Sequence, residues 1–329
     1  MPTQENSQHP STAALWHPDF AEPGVPRDEI QDPWGGERMS TTWRALEASG
    51  FPYRVVQPRL AGRDIIELVH APEYIDTVRE YASGERARGD DFRVVHADTA
   101  IRSNSFHLAT LAVGATCAAV DEVVSGRARN AFVHARPGDH HAYGQRGCGF
   151  CLFNHTAVAA RYAQAQHGLR RVLIVDWDVH HGNGTQAIFY SDPTVYYYSI
   201  HQFGAFYPNT GHETERGAGP GQGTTLNVNV PAGTMDHVFL REFRRGLASI
   251  RYEPELVILT AGFDGHRDDP VGGLHLTDAI YPELTRLTME YADAHCGGRL
   301  VTYLAGGYNP ETYAGLALKH VGALTGGAA

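Results

Sequence analysis

Residues 171–185 read Arg-Val-Leu-Ile-Val-Asp-Trp-Asp-Val-His-His-Gly-Asn-Gly-Thr. Residues 172–175 are apolar and mostly β-branched, which is the composition of a strand buried on both faces in a parallel sheet. If the chain stays extended after this run, the two-residue period of a strand turns Asp176, Asp178 and His180 to the same side. Two carboxylates and an imidazole then converge where the strand ends. This arrangement is typical of a metal site, although buried acid and histidine pairs also occur as structural hydrogen-bond partners.

Similar strand ends recur along the chain. Apolar runs at 131–134, 195–200, 256–260 and 300–304 alternate with helical patterns, which is the order expected of an α/β protein with a parallel sheet. Residues of catalytic type lie at or beyond the ends of these runs, namely His140 and His141, Ser199, Asp264, and Tyr308. Because ligands bind beyond the carboxyl ends of parallel strands, these residues are predicted to share one crevice.

The remaining segments predict the domain organisation. We expect residues 1–12 to be disordered and residues 13–329 to form a single domain. Residues 15–38 are rich in Pro, Asp and Gly, which favours irregular structure over a core. A long helical pattern opens at Asp98 and ends near Val124, with Ser103 or Asn104 available as a cap. Further helices are predicted at 40–49, 72–81, 154–166, 236–250, 277–294 and 310–318.

Composition restricts the partners. The net charge is -10 with 27 lysines and arginines, which argues against nucleic acid or a membrane surface as a partner. The chain shows no signal-peptide pattern and no apolar run of about 18 residues, so a soluble, cytoplasmic protein is expected. Four cysteines do not make a disulfide framework in so long a chain. Cys148 and Cys151 have redox-motif spacing, but buried or site-lining thiols are favoured because no thioredoxin-like pattern surrounds them.

Three of the converging residues are candidate metal ligands. Asp178, His180 and Asp264 are ligand types that zinc accepts, and three protein ligands leave one position open for water and substrate. Other divalent metals also fit this donor set. A metal in this place would polarise a carbonyl group and acidify a water molecule.

The neighbouring residues complete a predicted site for amide hydrolysis. His141 would take the proton of the water, and the Tyr308 hydroxyl would stabilise the oxyanion. His140 would be oriented by a buried carboxylate such as Asp176, which favours its charged or strongly hydrogen-bonded form.

Six short motifs carry a resemblance to a known family. They read Arg-Pro-Gly-Asp-His-His-Ala at 136–142, Gly-Phe-Cys-Leu-Phe-Asn at 149–154, Asp-Trp-Asp-Val-His-His-Gly-Asn-Gly-Thr at 176–185, Phe-Tyr-Pro-Asn-Thr-Gly at 206–211, Ala-Gly-Phe-Asp at 261–264 and Gly-Gly-Tyr-Asn at 306–309. This set resembles the signature of the histone deacetylase and acetylpolyamine amidohydrolase family, and most closely its class II and bacterial members. The resemblance extends over about residues 15–318.

The resemblance implies an α/β fold of the arginase/deacetylase type, with three layers, a central eight-stranded parallel sheet between helices, and one catalytic zinc ion. The implied zinc ligands are Asp178, His180 and Asp264. The implied catalytic residues are His140 paired with Asp176, His141 paired with Asn183, and Tyr308.

Potassium sites are also implied by the resemblance. A structural potassium ion would be held by Asp176, Ser199 and the backbone carbonyl groups of Asp178, His180 and Ile200. A second, peripheral potassium ion is implied near Phe189, Asp192 and Val195.

The substrate contacts implied by the resemblance lie at the mouth of the site. Gly149, Phe150 and Tyr207 align with the walls of a narrow acyl-lysine channel. Asp98 resembles a rim aspartate that holds a substrate backbone amide, and a simple helix-start residue is the alternative. Val271 takes a gatekeeper position that is acidic in polyamine-selective members. An apolar side chain offers no partner to a cation, which predicts neutral acyl-lysine-like or uncharged substrates, unless a nearby carboxylate compensates.

Two departures from the family pattern lie close to the site. Residues 137–139 read Pro-Gly-Asp where Pro-Pro-Gly is common, and Ala305 stands where a glutamate is common. They bear on the shape of the mouth and on the position of Tyr308.

Together these features predict a zinc-dependent amidohydrolase that removes an acetyl or acyl group from an acylated primary amine such as acetyl-lysine. An acetylpolyamine amidohydrolase is the alternative. An arginase-type ureohydrolase with two manganese ions and a non-catalytic binding protein are weighed below these two. The sequence does not decide whether the chain forms a homo-oligomer.

Overall fold

The computed structural model describes residues 12–22, 35–83, 93–96 and 98–327. The strands in this part of the chain are β1 (Thr12–Leu15), β2 (Tyr53–Val56), β3 (Arg93–His96), β4 (Thr99–Ile101), β5 (Asn130–Val133), β6 (Val172–Asp176), β7 (Val195–Gln202), β8 (Thr225–Val230), β9 (Leu256–Ala261) and β10 (Leu300–Leu304). The α-helices are α1 (Gly36–Ala48), α2 (Arg63–Ile66), α3 (Pro72–Ser83), α4 (Ser105–Val124), α5 (His155–His167), α6 (Asn183–Phe189), α7 (Asp236–Ser249), α8 (Ile280–Cys296) and α9 (Tyr313–Thr325).

Eight of these strands form one sheet in the order β2-β1-β5-β10-β9-β6-β7-β8. Every neighbouring pair in it is parallel. Strands β3 and β4 form a separate antiparallel pair. The predicted α/β fold with an eight-stranded parallel sheet is therefore confirmed.

Strand β6 lies between β9 and β7, and its five residues are all buried. Its Val-Leu-Ile-Val run suits this place because branched side chains pack well on both faces of a covered sheet. Asp176, its last residue, is in register with Ser199 of β7 and Thr260 of β9. The register therefore brings the polar ends of three strands to the same edge.

Helices form the two outer layers. Helix α4 packs on β1, β5 and β10 and beside α5, while α1, α9, α8 and α7 pack side by side in a second layer. By length and composition α4 could span a membrane, but 78% of its apolar window is buried inside the protein. That burial is what a core helix shows, since an apolar surface can be covered by protein as well as by lipid.

The N-terminal segment differs from the prediction. Residues 1–11 lie outside the described residues, but Thr12 opens β1, which lies between β2 and β5 and is fully buried. The hydroxyl of Thr12 and the side-chain amide of Asn130 both donate to the Leu324 carbonyl, at 3.5 and 3.1 Å. The limit of the disordered segment at residue 12 was therefore wrong. Of the segment 15–38 that was predicted to be irregular, Leu15 belongs to β1 and residues 36–38 belong to α1, while residues 23–34 lie outside the described residues. A four-residue strand depends on its neighbours more than on its own sequence.

The helix predicted to open at Asp98 begins later. Residues 99–101 form β4, and α4 starts at Ser105, directly after the predicted cap Asn104. Strand β8 was also missed, although its alternating Thr-Leu-Asn-Val-Asn-Val sequence has the period of a strand. The other predicted helices are present with shifted ends. Helix α9, for example, continues to Thr325 and ends at Gly326, whose left-handed φ of 71° suits glycine.

Candidate metal centre and active site

Three buried ligand atoms converge at the carboxyl edge of the sheet. Asp178 and His180 follow β6, and Asp264 follows the adjacent strand β9. His180 Nδ1 lies 3.1 Å from Asp178 Oδ1 and 3.2 Å from Asp264 Oδ2. All three ligand atoms lie within 4.8 Å of one another. A tetrahedral metal with bonds of about 2.0–2.2 Å keeps its ligand atoms about 3.3–3.6 Å apart, so these spacings suit one ion.

Backbone amides orient both carboxylates. Gly306 N donates to Asp178 Oδ2 at 3.0 Å, and Val179 N donates to Asp264 Oδ1 at 3.0 Å. A Cβ atom at position 306 would collide with both carboxyl groups, so only glycine allows this close approach. The ligand oxygens are thus fixed before any ion binds, which lowers the cost of ordering them.

The electrostatics of the ligand group also fit a cation. Burial and the charge of Asp178 together raise the pKa of Asp264 to about 7. Burial alone would lower the pKa of His180, but hydrogen bonds to Asp178 and Asp264 raise it to about 10. Two carboxylates therefore compete for the proton of one imidazole, and a divalent cation would supply the missing positive charge.

His140 is held as a charged imidazole. Its Nδ1 lies 2.9 Å from Asp176 Oδ2, and the Tyr197 hydroxyl donates to the same oxygen at 2.9 Å. Burial would lower the pKa of His140, but the charges of Asp176 and Asp178 raise it to about 9. The predicted pairing of His140 with Asp176 is present in the structure.

His141 is held in the neutral form. Burial lowers its pKa well below the usual value, and the charges of His140 and His180 lower it further. Its Nδ1 lies 2.7 Å from Asn183 Oδ1, and the Asn183 amide donates to the Tyr143 hydroxyl at 2.8 Å. Because the Asn183 oxygen only accepts, Nδ1 carries the proton and Nε2 keeps its lone pair. An imidazole in this state can act as a base at Nε2.

Tyr308 lies beside the metal-ligand candidate His180. Its ring centroid is 6.4 Å from that of His180, at an interplanar angle of 77°. Burial raises the pKa of Tyr308 well above its usual value, so the hydroxyl stays a neutral donor. Gly307, with a φ of 136°, makes the turn after β10 that directs Tyr308 to the site.

Asp269 anchors Tyr308 although the sequence reasoning gave it no such role. Its carboxylate accepts from Tyr308 N at 2.6 Å, and also from Val271 N at 2.9 Å and Gly272 N at 3.2 Å. The carboxylate of Asp269 is therefore used by three backbone amides. Asp268 beside it is exposed, so a compensating charge near Val271 stays a prediction. An acid followed by Pro-Val-Gly-Gly is a turn signal, and this signal could have identified Asp269.

Backbone bonds also secure the segment in which Ala305 replaces the common glutamate. Ala305 N donates to the Ala261 carbonyl at 2.8 Å, and Phe263 N donates to the Gly306 carbonyl at 2.7 Å. These backbone hydrogen bonds thus join the ends of β9 and β10 without the side chain of a glutamate at position 305.

The predicted channel walls come from two loops. Gly149 and Phe150, with φ of 54° and 65°, form a two-residue turn on one side. Tyr207, 41% exposed, lies on the loop after β7, and its ring stands edge-on to that of His141 at 5.2 Å. Both walls therefore border His141, because a Cβ atom at Gly149 would also meet the His141 ring.

The cysteines next to this turn are free thiols, as are the other two cysteines of the chain. Cys148 Sγ lies 3.1 Å from the Tyr207 hydroxyl, and burial raises the pKa of Cys151 well above its usual value. The prediction of buried, site-lining thiols is confirmed.

Asp98 lies at the mouth of the site and not at a helix start. Its carboxylate accepts from Gly149 N at 3.0 Å and from the Tyr207 hydroxyl at 2.8 Å. The helix-start interpretation was therefore wrong. Val271 lies on the loop between β9 and α8, which also carries Asp264, and it is partly buried. Contact of Asp98 or Val271 with a substrate stays a prediction.

The residues predicted to hold potassium are placed together in part. Asp176 and Ser199 are in register on neighbouring strands, and Ser199 Oγ also lies 2.8 Å from His201 Nδ1. At the peripheral position, Asp192 pairs with Arg161 at 2.5 Å, so its carboxylate is already engaged. Both potassium sites stay predictions.

Tyr197 was missed by the sequence reasoning. Its hydroxyl donates to Asp176. The sequence could have placed it near the site, because the two-residue period of a strand puts Tyr197, Ser199 and His201 on one face of β7.

The fold and the site together define a protein class. The fold is of the three-layer arginase/deacetylase type, with a parallel sheet between two layers of helices. It carries the buried group Asp178, His180 and Asp264 beside tandem histidines and a tyrosine. A sequence profile described as the histone deacetylase domain matches residues 33–324. The chain therefore belongs to the histone deacetylase family.

Similar proteins cover several lineages. "Histone deacetylase 10, chloroplastic" of Oryza sativa subsp. japonica is 40% identical over 77% of this chain and 58% of its own length. "Polyamine deacetylase HDAC10" of Danio rerio is 37% identical over 86% of this chain and 42% of its own length. "Probable deacetylase" of Archaeoglobus fulgidus is 36% identical over 84% of this chain and 76% of its own length. The chain thus spans only about half the length of the first two relatives.

A solved structure supports the same fold. The crystal structure of the HDA15 HD domain matches with a TM-score of 0.88 and 33% sequence identity, over 97% of this chain and 89% of that chain.

Proposed function

We propose that this chain is a zinc-dependent deacetylase that removes an acetyl or acyl group from an acylated primary amine, such as acetyl-lysine or a small acylated amine. The observation that carries the proposal is the convergence of Asp178, His180 and Asp264, with His180 Nδ1 at 3.1 and 3.2 Å from the two carboxylate oxygens. These three residues would hold the zinc ion. Bound there, zinc would supply Lewis-acid polarisation of the amide carbonyl and acidification of water.

His141 moves the proton in this scheme. Its Nε2 is free to accept because Nδ1 is committed to Asn183 at 2.7 Å. It takes the proton of the attacking water and later delivers it to the departing amine nitrogen. A group that serves as base and then as acid needs to be neutral at the start, which agrees with the lowered pKa of His141.

Tyr308 and His140 stabilise the charge that develops. The Tyr308 hydroxyl donates to the oxyanion formed from the carbonyl oxygen. His140, kept positive by Asp176, adds a fixed charge beside His141, since the two rings are 4.0 Å apart. Burial of both histidines keeps bulk water from screening their charges.

A structural potassium ion is part of the proposal. It would bind Asp176, Ser199 and the carbonyl groups of Asp178, His180 and Ile200. The register of Asp176 with Ser199 supports this place.

An acetylpolyamine amidohydrolase is the second candidate. It is favoured by relatives named "Polyamine deacetylase HDAC10" in Danio rerio and Homo sapiens, at 37% and 35% identity. The apolar Val271 favours neutral substrates instead, and the nearby Asp269 carboxylate is already used by three backbone amides. A substrate panel of acetyl-lysine peptides, acetylputrescine and longer acyl chains separates the two.

Location and partners are proposed on composition alone. A cytoplasmic protein without nucleic acid or membrane partners agrees with the net charge of -10. Two relatives, from rice and Arabidopsis thaliana, are named chloroplastic, so the compartment stays a prediction. Assembly into a homo-oligomer also stays a prediction.

Metal content and turnover test the proposal together. The purified chain should bind one catalytic divalent ion, hydrolyse a fluorogenic acetyl-lysine substrate, and be inhibited by a hydroxamate, whose two oxygens fit an open coordination position. Chelation should abolish turnover, and zinc should restore it. Two catalytic ions per site would favour the arginase-type alternative. A metal-loaded chain that hydrolyses no acylated amine in the panel would favour the non-catalytic binding protein.

A further inference from the structure

His140 and His141 lie in a tight turn between β5 and α5. The backbone N–H of Ala142 donates to the Asp139 carbonyl at 3.1 Å, so the two histidines are the central residues of this turn. The turn belongs to no strand or helix. The positions of both imidazole rings therefore depend on the hydrogen bonds that tie the turn to neighbouring elements.

The end of the turn that follows the histidines is bound to two helix starts. Asn154, the cap of α5, donates its side-chain amide to the Ala142 carbonyl at 3.2 Å. The backbone N–H of Thr185 in α6 donates to the His140 carbonyl at 3.0 Å. The Asn154 amide also donates to the Thr185 hydroxyl at 2.9 Å, which joins the two supports. This end of the turn is therefore fixed from outside.

Asp139 binds the other end of the turn to α5. One carboxylate oxygen accepts from Thr156 N at 2.9 Å, and the other accepts from the Thr156 hydroxyl. Thr156 is the second residue of α5, where a backbone N–H has no acceptor within the helix, and a negative charge also suits this end of the helix dipole. Both ends of the turn are thus attached to the start of one helix.

The hydrogen bonds of Asp139 arise from a departure from the family pattern. Residues 137–139 read Pro-Gly-Asp where Pro-Pro-Gly is common. A proline at position 138 would restrict the backbone through its ring, whereas Gly138 leaves many more conformations open. The side chain of Asp139 restores a restraint at the next position, directly before His140. Asp139 is only 2% exposed and so forms no part of the mouth, and the departure bears on the tandem histidines instead.

We infer that Asp139 and Thr156 form a histidine clamp, which fixes the turn that carries His140 and His141 and so sets the reach of the His141 base. Asp139 is a positioning residue, because it acts through the turn. A base that is misplaced by about 1 Å can lower a rate about 10²-fold, so two hydrogen bonds that hold the turn matter for kcat. The kinetic part of this inference rests on the proposed function.

Two substitutions separate the clamp from the charge of Asp139. Asp139→Ala removes both hydrogen bonds. Asp139→Asn keeps both and removes only the charge, because its oxygen accepts from Thr156 N and its amide donates to the Thr156 hydroxyl. We expect kcat to fall about 10- to 100-fold in Asp139→Ala, with KM and metal content unchanged, and to stay within about threefold of wild type in Asp139→Asn. Equal falls in the two variants would overturn the clamp.

Thr156→Val tests the clamp even if Asp139→Ala does not fold, because it removes one hydrogen bond and keeps the shape of the side chain. Its kcat should fall about threefold or more. Thr116→Val is the matched control, since it removes the hydroxyl of a buried threonine of α4 that donates to the Ala112 carbonyl at 2.9 Å, and its kcat should equal that of wild type. Equal kcat in Thr156→Val and Thr116→Val would contradict the clamp.

Hydrogen exchange tests the clamp without any turnover. The Ala142 amide closes the turn and the Thr185 amide binds it, so both should exchange about tenfold faster in Asp139→Ala, which corresponds to about 1.4 kcal/mol. Both should keep their wild-type exchange rates in Asp139→Asn. Faster exchange that is confined to the Thr156 amide, which loses its own acceptor, would show that Asp139 only caps α5 and would overturn the clamp.

Failure of the clamp and failure of the proposed function can be told apart. A wild-type chain that hydrolyses no acylated amine, but shows the exchange differences, would leave the clamp standing and contradict the proposed function. An active wild-type chain whose Asp139→Ala variant keeps kcat within about threefold would overturn the clamp alone.

Discussion

Replacement of Tyr308 by phenylalanine should remove rate while leaving the site assembled. The main chain of Tyr308 is tied to Asp269 at 2.6 Å through its backbone N–H, so this anchor does not depend on the hydroxyl. The metal ligands receive their hydrogen bonds from Gly306 N and Val179 N, which are also unaffected. The loss is therefore one neutral donor to the oxyanion in a buried site. We expect kcat to fall by about 10²- to 10³-fold, or about 2.7–4 kcal/mol, with metal content unchanged.

The assay compares turnover of a fluorogenic acetyl-lysine substrate with metal content in the same preparations. Tyr313→Phe is the control, because it also removes a buried hydroxyl, one that donates to the Ala305 carbonyl at 3.3 Å. It should cost about 1 kcal/mol of folding stability and little rate. A fall of less than threefold in Tyr308→Phe, or loss of its metal, would refute the role given to Tyr308.

Other predictions concern the metal, the gatekeeper and the acid stability. Asp178→Ala or Asp264→Ala should abolish metal binding. Asp268→Ala should not, because it removes an exposed carboxylate of the loop that carries Asp264. Equal metal content in all three variants would mean that the ligands are misassigned. Val271→Glu should raise the kcat/KM for N8-acetylspermidine relative to an acetyl-lysine derivative, and a wild-type chain that already prefers the polyamine tenfold, about 1.4 kcal/mol, would contradict the inference from Val271. Burial lowers the pKa of His320 from 6.5 to about 3. Folding therefore favours the neutral form of His320. The resulting contribution to the free energy of unfolding is complete above pH 6.5 and is lost as the pH falls towards 3. Between pH 7 and 5, the free energy of unfolding measured with urea should fall by about 2 kcal/mol less in His320→Gln than in wild type. Equal falls in the two proteins would contradict this role of His320.

The ends of the buried strands could be predicted because their composition changes abruptly. The run before Asp176 is apolar and branched, as a doubly covered strand requires, and an acid directly after it has few uses other than a site. The same reasoning located Asp264 and Tyr308. Their exact roles also drew on the resemblance to a family, since spacing alone does not separate a zinc ligand from a base.

Features that depend on distant partners could not be predicted. Residues 12–15 become a strand because β2 and β5 bind on either side, and four residues carry too little period to reveal it. Asp98 lies in the turn after β3, and its hydrogen-bond partners Gly149 and Tyr207 are 51 and 109 positions away. Asp269 could have been read as a turn residue, but not as the anchor of Tyr308.

The position of β1 bears on how the chain folds during synthesis. Thr12 is made well before α9, and its hydroxyl bonds to a carbonyl 312 positions later, while Asn130 bonds to the same carbonyl 194 positions later. Strand β1, an inner strand of the sheet, is therefore completed by a helix that is made much later. Until α9 emerges, nascent chains of intermediate length leave apolar sheet surface exposed, and this surface is a natural binding site for chaperones.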